Sequence, residues 1–148
     1  MKVLQKINLA WGAVVTVLSA IFGEFWFLFL AFLLLNIADY ITGVLKARFT
    51  HTENSNKGLH GIVKKVGYWL VIAIAFFIAL CFEGMGGMIG VNLAFVELLG
   101  WFTLATFIIN EIRSILENLV KLDVDVPIFL IKGLEVASEL VKAKSEVK

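Results

Sequence analysis

Apolar residues gather along this chain in four stretches, each approaching or filling the ~20 positions a helix needs to cross the hydrocarbon core of a bilayer. They run from about Ile7 to Phe22, from Phe25 to about Leu45, from about Ile62 to Phe82 and from about Val91 to Ile109, the last continuing as a polar helix to near Leu119. Gly23-Glu24 leaves room only for a tight turn between the first two. Residues 46–61 are polar and read as a loop, and the glycines of Glu83-Gly84-Met85-Gly86-Gly87 are dense enough to interrupt the third helix. Asp123-Val124-Asp125-Val126-Pro127 is a second break, and its proline suits the first turn of a new helix. Over about residues 127–144, Leu130, Leu134, Ala137 and Val141 recur at helical spacing, with Lys132, Glu135, Glu139 and Lys142 elsewhere on the surface. This is a short amphipathic helix, free to lie on the inner leaflet or to pack on the cytoplasmic ends of the bundle. Its alternating charges leave no basic face and favour the packed alternative. Lys142–Lys148 reads as a solvated tail. The pattern predicts an all-α, polytopic membrane protein: four transmembrane helices plus a short C-terminal amphipathic cytoplasmic helix, in one membrane domain spanning 1–148.

Composition makes the membrane reading hard to avoid. The 148 residues are 60% hydrophobic and 17% charged, against about 45–50% and about a quarter in a soluble domain. A chain this short cannot wrap a core large enough to hide that apolar surface, so the excess faces lipid. Disorder is excluded and a soluble enzyme is untenable. The net charge of +1 offers nucleic acid no general attraction. Charge position then orients the chain. Lys2 and Lys6 precede the first span; Lys46, Arg48, Lys57, Lys64 and Lys65 fall between the second and third; the remaining Lys and Arg follow the fourth. All 13 therefore lie on one side if the chain crosses four times, whereas three or five crossings would split them. Basic residues are retained in the cytoplasm, so both termini and the central loop are expected there. A cleaved signal peptide is the rival for the first stretch, but Leu18-Ser19-Ala20-Ile21-Phe22-Gly23 offers no clear small-x-small site, and another span follows. The single cysteine, Cys81, sits among Ala79, Leu80 and Phe82 and reads as a small buried hydrophobe.

Two kinds of helix face stand out. Gly12, Thr16, Ser19 with Ala20, and Gly23 form a small-residue stripe in the first span, as do Gly67, Val71, Ala75 and Ala79 in the third; such stripes let helices approach closely. The second and fourth spans carry polar stripes instead. Asn36, Asp39, Tyr40, Gly43 and Ala47 share one face of the second, and Glu97, Gly100, Thr103, Asn110, Ser114 and Glu117 recur in steps of three, four or seven along the fourth. A charged residue at mid-span costs about 2.5–3.5 kcal/mol on the insertion scale, so it faces protein or water. For Asp39 a structural partnership with Lys64 or Lys65 is the simpler reading, beside a pore-facing one; for Glu97 the two readings weigh equally. Trp26 and the Tyr68-Trp69 pair lie near span ends, where aromatic rings favour the interface. No constellation points to catalysis, to a cofactor or to a metal: His51 and His60 lack a third ligand at diagnostic spacing, and no phosphate loop or nucleophile–base set is present.

Asp39-Tyr40-Ile41-Thr42-Gly43-Val44-Leu45-Lys46-Ala47, followed by Lys57-Gly58-Leu59-His60-Gly61-Ile62-Val63-Lys64-Lys65-Val66, resembles the signature of the phage-lysis and toxin-secretion holins, which include the clostridial toxin-release holins. Asn110 to Asn118 and Val126-Pro127 continue the resemblance in order, so that it covers roughly residues 35–130. The residues carrying it are Asp39, Gly43, Lys46, Gly58, Gly61, Lys64, Lys65, Glu111, Ser114, Glu117, Asn118 and Pro127. The stretch Lys121–Asp125 departs from the pattern, which leads one to expect a glycine before the proline. The resemblance implies a non-enzymatic protein of the bacterial inner membrane that forms homo-oligomers. It would open lesions through which a phage endolysin, or a large toxin lacking a signal peptide, passes as cargo.

On this reading the polar stripes (Asn36 and Asp39; Glu97 to Glu117) are the candidate pore or packing faces, hidden by mutual packing until the assembly turns them toward water. Two rivals belong to other classes. A small ion-coupled transporter or channel subunit would bind its ion at Asp39 or Glu97, and an antiholin-like scaffold would associate without permeabilising.

Overall fold

The computed structural model describes residues 2–146. Side chains of Lys2, Lys6, Ala20, Phe22 and Glu146 lie outside the description, as do Val147 and Lys148 entirely, so the expectations placed on them are outside it too. Every regular element among the described residues is helical: α1 (Lys2–Phe22), α2 (Trp26–Phe49), α3 (Ser55–Ile89), a single 3-10 turn (Ala94–Glu97), α4 (Leu98–Val120) and α5 (Ile128–Glu146). Three of these are long and apolar enough to cross a membrane: Trp26–Phe49, Ser55–Ile89, and Ala94–Val120 with the 3-10 turn included; α1 adds a shorter apolar run, Ile7–Thr16. The molecule is therefore an all-helical, multi-pass membrane protein.

The chain divides into two compact units, Met1–Leu34 and Leu35–Lys148. In the first, α1 ends at Gly23, whose φ of 73° lies in the left-handed region and whose N–H donates to the Ser19 carbonyl at 2.9 Å. Phe25 and Phe27 meet edge to face with centroids 6.3 Å apart, and Phe29 and Phe32 are buried.

In the second unit α3 and α4 form an antiparallel hairpin. Their contact faces repeat every seven residues: Lys65, Ile72, Ala79 and Gly86 along α3, and Leu104, Glu111 and Asn118 along α4, with Gly100 one turn before. A seven-residue spacing keeps one stripe in contact only if the helices wind gently left-handed about each other. The rungs follow in order. Gly86 meets the turn at Val91 and Leu93, Phe76 meets Gly100 and Trp101, Tyr68 stacks on Phe107 with centroids 4.2 Å apart, and Lys65 meets Glu111. Tyr68 thus packs between helices instead of marking an interface. On the opposite face of α3, Leu70, Ile74, Phe77 and Leu80 are exposed, as lipid contact requires. Cys81 belongs to that exposed surface and is not buried as its neighbours led us to expect; apolar neighbours in a spanning helix mark lipid as readily as core.

Two boundaries differ from the sequence pattern. The polar segment between the second and third spans shrinks to residues 50–54, because Asn54 caps α3: its side-chain oxygen accepts from the Asn56 N–H at 2.9 Å and the Lys57 N–H at 3.3 Å. At the other end α3 runs straight through Gly84, Gly86 and Gly87 and stops only at Gly90, φ 70°. Glycine weakens a helix in water, but an apolar solvent offers the backbone no alternative hydrogen-bond partner, so the helix continues. Gly86 is also required sterically: a Cβ there would stand 2.5 Å from the Val91 carbonyl oxygen.

Asp123, φ 59°, occupies the left-handed position that ends α4, with the Val124 N–H donating to the Leu119 carbonyl at 3.1 Å and the Asp123 N–H to the Val120 carbonyl at 3.1 Å. It lies within the Lys121–Asp125 stretch, where the family pattern leads one to expect a glycine before the proline, and aspartate is among the few other residues that tolerate the left-handed conformation. The first turn of α5 is then closed by the Leu130 N–H on the Pro127 carbonyl at 3.0 Å. Leu134, Ala137, Ser138 and Val141 of α5 are half-buried, and the helix packs on α4. It does not stop at the polar end of the bundle as expected: Ile131 and Leu134 sit beside Leu116 and Val120, while Lys144 and Ser145 reach Phe95 and Leu98.

A methyl group at Gly100 would lie 2.6 Å from the Phe76 ring, which is itself held edge-on to Trp101 at 5.0 Å. Gly100→Ala is expected to lower stability in detergent by about 1–3 kcal/mol. A smaller loss is expected when it is added to Phe76→Leu, read as coupling in a double-mutant cycle of thermal unfolding. Asp123→Gly relieves a left-handed residue and is expected to raise stability by up to about 1 kcal/mol in the same measurement.

Candidate functional site

Polar side chains from three helices converge at the end of the second unit where α2 stops and α3 begins. On α2, Asp39, Thr42, Gly43 and Lys46 follow one another at helical spacing and so share a face. Lys65 is the first member of the α3 contact stripe, about three turns into that helix, and Glu111 and Asn118 are consecutive members of the seven-residue repeat on α4.

Lys65 is the bridge. Its Nζ donates to Asp39 Oδ2 at 2.8 Å and to Glu111 Oε2, with only 15% of its side chain exposed and 5% of that of Glu111. Asn118, also buried, joins the remaining groups: its Nδ2 donates to Asp39 Oδ1 at 3.1 Å and to Thr42 Oγ1 at 3.2 Å, and its Oδ1 accepts from Lys46 Nζ at 2.6 Å. An amide can serve all three partners at once, because it carries two donors and an acceptor on one planar group. The two ammonium groups of Lys46 and Lys65 balance the two carboxylates of Asp39 and Glu111. The cluster is thus formally neutral and extensively hydrogen-bonded, as a charged group away from water has to be.

Beside the network opens a cleft of 810 Å³, walled by the end of α2, residues 52–55, the first turns of α3, and Ser114 and Asn118 of α4. Asp39, Gly43, Lys46, Gly58, Gly61 and Lys65 all line it. A Cβ on Gly58 or Gly61 would meet nothing within 4 Å, so these glycines keep the cleft open without being forced by a close approach. Arg48, Lys57, Thr52 and Glu53 form its polar rim. Among the described residues no group of three metal-ligating side chains comes together. The arrangement holds no paired nucleophile and base; what it does physically is tie three helices together.

The residues singled out from the sequence are distributed unevenly about this centre. Asp39 takes Lys65 as its partner, while Lys64 lies over the Tyr68 ring at 5.6 Å. Asn36 is buried one turn away on α2. The stripe read along α4 separates. Gly100 is buried against Phe76, but Glu97, Asn110 and Glu117 are exposed in the single chain. Glu97 accepts from Trp101 Nε1 at 2.9 Å, Thr103 returns its hydroxyl to the Leu99 carbonyl at 2.6 Å, and Glu117 pairs with Arg113 one turn away at 3.1 Å. Ser114 stands between, on the wall of the cleft, and Pro127 opens α5. Glu111 and Asn118, which the polar periodicity passed over and only the family resemblance picked out, are the buried pair. The usable signal was their seven-residue spacing from Leu104. Thr42 was missed altogether, although it lies three residues after Asp39.

The sequence model of a family described as the bacteriophage holin family matches residues 16–139. Among individual proteins, the chain is 32% identical over 121 residues to an uncharacterized protein of Halalkalibacterium halodurans, covering 80% of this chain and 85% of the relative. It is 34% identical over 128 residues to an uncharacterized protein of Listeria innocua, covering 86% and 81%. It is 32% identical over 120 residues to one of Clostridium perfringens, covering 81% and 82%. No solved structure matches it.

Removing Lys65 leaves two carboxylates facing each other without a counter-charge. Lys65→Met is expected to destabilise the protein by about 3–5 kcal/mol, whereas Asp39→Leu/Lys65→Met/Glu111→Leu together restore most of that loss. Thermal unfolding in detergent, with membrane insertion checked separately, reads both.

Proposed function

Because the chain belongs to the bacteriophage holin family, we propose that it is a holin of the bacterial cytoplasmic membrane: it accumulates there, associates with copies of itself, and opens lesions large enough for a folded protein. The cargo is a phage endolysin or a large toxin lacking a signal peptide. In this reading α1 crosses as well as α2, α3 and α4, so both termini and the 50–54 turn face the cytoplasm. The distribution of all 13 Lys and Arg supports that count.

The family match over residues 16–139 is the observation that carries the proposal. The geometry agrees with it in a specific way. A protein that is first stable in lipid and later borders water needs polar groups it can satisfy internally. The Asp39–Lys65–Glu111–Asn118 cluster satisfies its own groups within one chain. The exposed Glu97, Asn110 and Glu117 supply polar surface that a neighbouring copy or water can take up.

Inducible expression in a bacterium, with and without a cytoplasmic muralytic enzyme, tests this reading by culture turbidity. Abrupt clearing is expected only when the enzyme is present. Saturable movement of a small solute without enzyme release would identify a transporter or channel subunit, and stable membrane association with no permeabilisation would identify a scaffold; either result overturns the proposal.

A further inference from the structure

The position of α5 along α4 has a physical consequence for the open state, resting on the lesion-forming reading above. α5 runs antiparallel to α4 and packs on it: Leu116 and Val120 line one groove with Ile131 and Leu134, and Phe95 and Leu98 line a second with Lys144 and Ser145. The near half of α5 accompanies the polar end of α4, where Asn110, Arg113 and Glu117 lie in the groove with Glu135 and Ser138. The far half accompanies Phe95–Phe107, the most apolar part of that span. Yet the far half carries Glu139, Lys142 and Lys144, all exposed in the single chain.

A helix placed beside a spanning helix in this way lies at bilayer depth. Each charged residue held there against lipid lowers the population of the state roughly a hundredfold, and three such residues make it negligible. The seated arrangement becomes favourable only where the outer face of α5 meets water. The polar linker supplies the pivot: the chain reverses at Asp123, in the left-handed conformation, and restarts at Pro127.

We propose that α5 is a mobile wall of the aqueous path. While the protein is surrounded by lipid, only the near half of α5 stays on α4. When the assembly opens, the far half seats against Phe95–Phe107 and turns Glu139, Lys142 and Lys144 toward the water-filled lesion. The amphipathic helix thereby changes from a cytoplasmic appendage into a lining element of the path.

Disulfide trapping in the full chain tests this, in a Cys81→Ala background that releases a co-expressed endolysin normally. Leu98→Cys with Ser145→Cys reports the far contact, and Leu116→Cys with Ile131→Cys the near one. Samples are oxidised before and after the onset of endolysin release. The near pair is expected to cross-link at both times and the far pair at least tenfold more after onset. Replacing Glu139, Lys142 and Lys144 together by Leu removes the need for water, and the far cross-link is then expected before onset. Endolysin release without a far cross-link overturns the proposal and leaves the holin reading intact. Equal far cross-linking before and after onset overturns it too, as does a triple-leucine variant with unchanged timing. Absence of release from the unsubstituted chain, with normal membrane insertion, would instead overturn the holin reading on which the proposal rests, and the proposal with it.

Discussion

Lys65 extends from α3 to carboxylates on two other helices, and much of the second unit follows from that reach. Hydrocarbon gives helices little reason to prefer one another, so association has to come from close packing and from polar groups with nowhere else to go. An ammonium group satisfied by Asp39 and Glu111 together fixes the rotation of α2, α3 and α4 about their own axes. Slide any of them by a turn and a charge is stranded. Asn118 reinforces the arrangement by answering Asp39, Thr42 and Lys46 at once. The aromatic rungs above, Tyr68 on Phe107 and Phe76 over Gly100, supply the dispersion contacts that a polar clamp alone lacks.

The architecture and the clamp place most of the family residues in one neighbourhood, with Lys64, Glu117 and Pro127 outside it. Residues scattered from Asp39 to Asn118 in the sequence surround a single cleft, with the glycines at 58 and 61 contributing open space and the charged residues contributing the ties. Glu97, at the other end of α4, belongs to a separate, exposed environment beside Trp101. The polar residues of this protein therefore fall into a buried set that ties three helices together and an exposed set whose bonds, such as Glu97 with Trp101 and Glu117 with Arg113, reach only one turn away.

Helices and their membrane character could be read from the sequence because lipid imposes a crude length and composition requirement. The partnership of Asp39 with a lysine across the loop was legible for a related reason: an intramembrane charge demands an opposite one. Which lysine was not legible. Lys64 and Lys65 are neighbours in sequence but point about 100° apart on a helix, and only the packing of α3 on α4 decides that Lys65 faces inward. Helix ends were misread where the rules of aqueous peptides were applied to a segment without water, as at Gly84–Gly87. The polar stripe on α4 through Thr103, Asn110 and Glu117 already contains a seven-residue step, but lies one residue before the set that packs, Leu104, Glu111 and Asn118. The hairpin selects that second set, which brings Glu111 and Asn118 to the contact face. That α5 packs on protein was legible from its alternating charges, but not how far along α4 it runs, since the stripe Leu130–Val141 does not specify which part of a neighbouring helix it meets.

The balanced charge of the clamp bears on how electrical forces act on the protein. A transmembrane voltage does work on a charged group in proportion to the net charge displaced, about 2.3 kcal/mol per elementary charge per 100 mV. Two ammonium groups and two carboxylates moving as a unit displace none. A voltage across the membrane therefore does no net work in displacing this cluster as a whole.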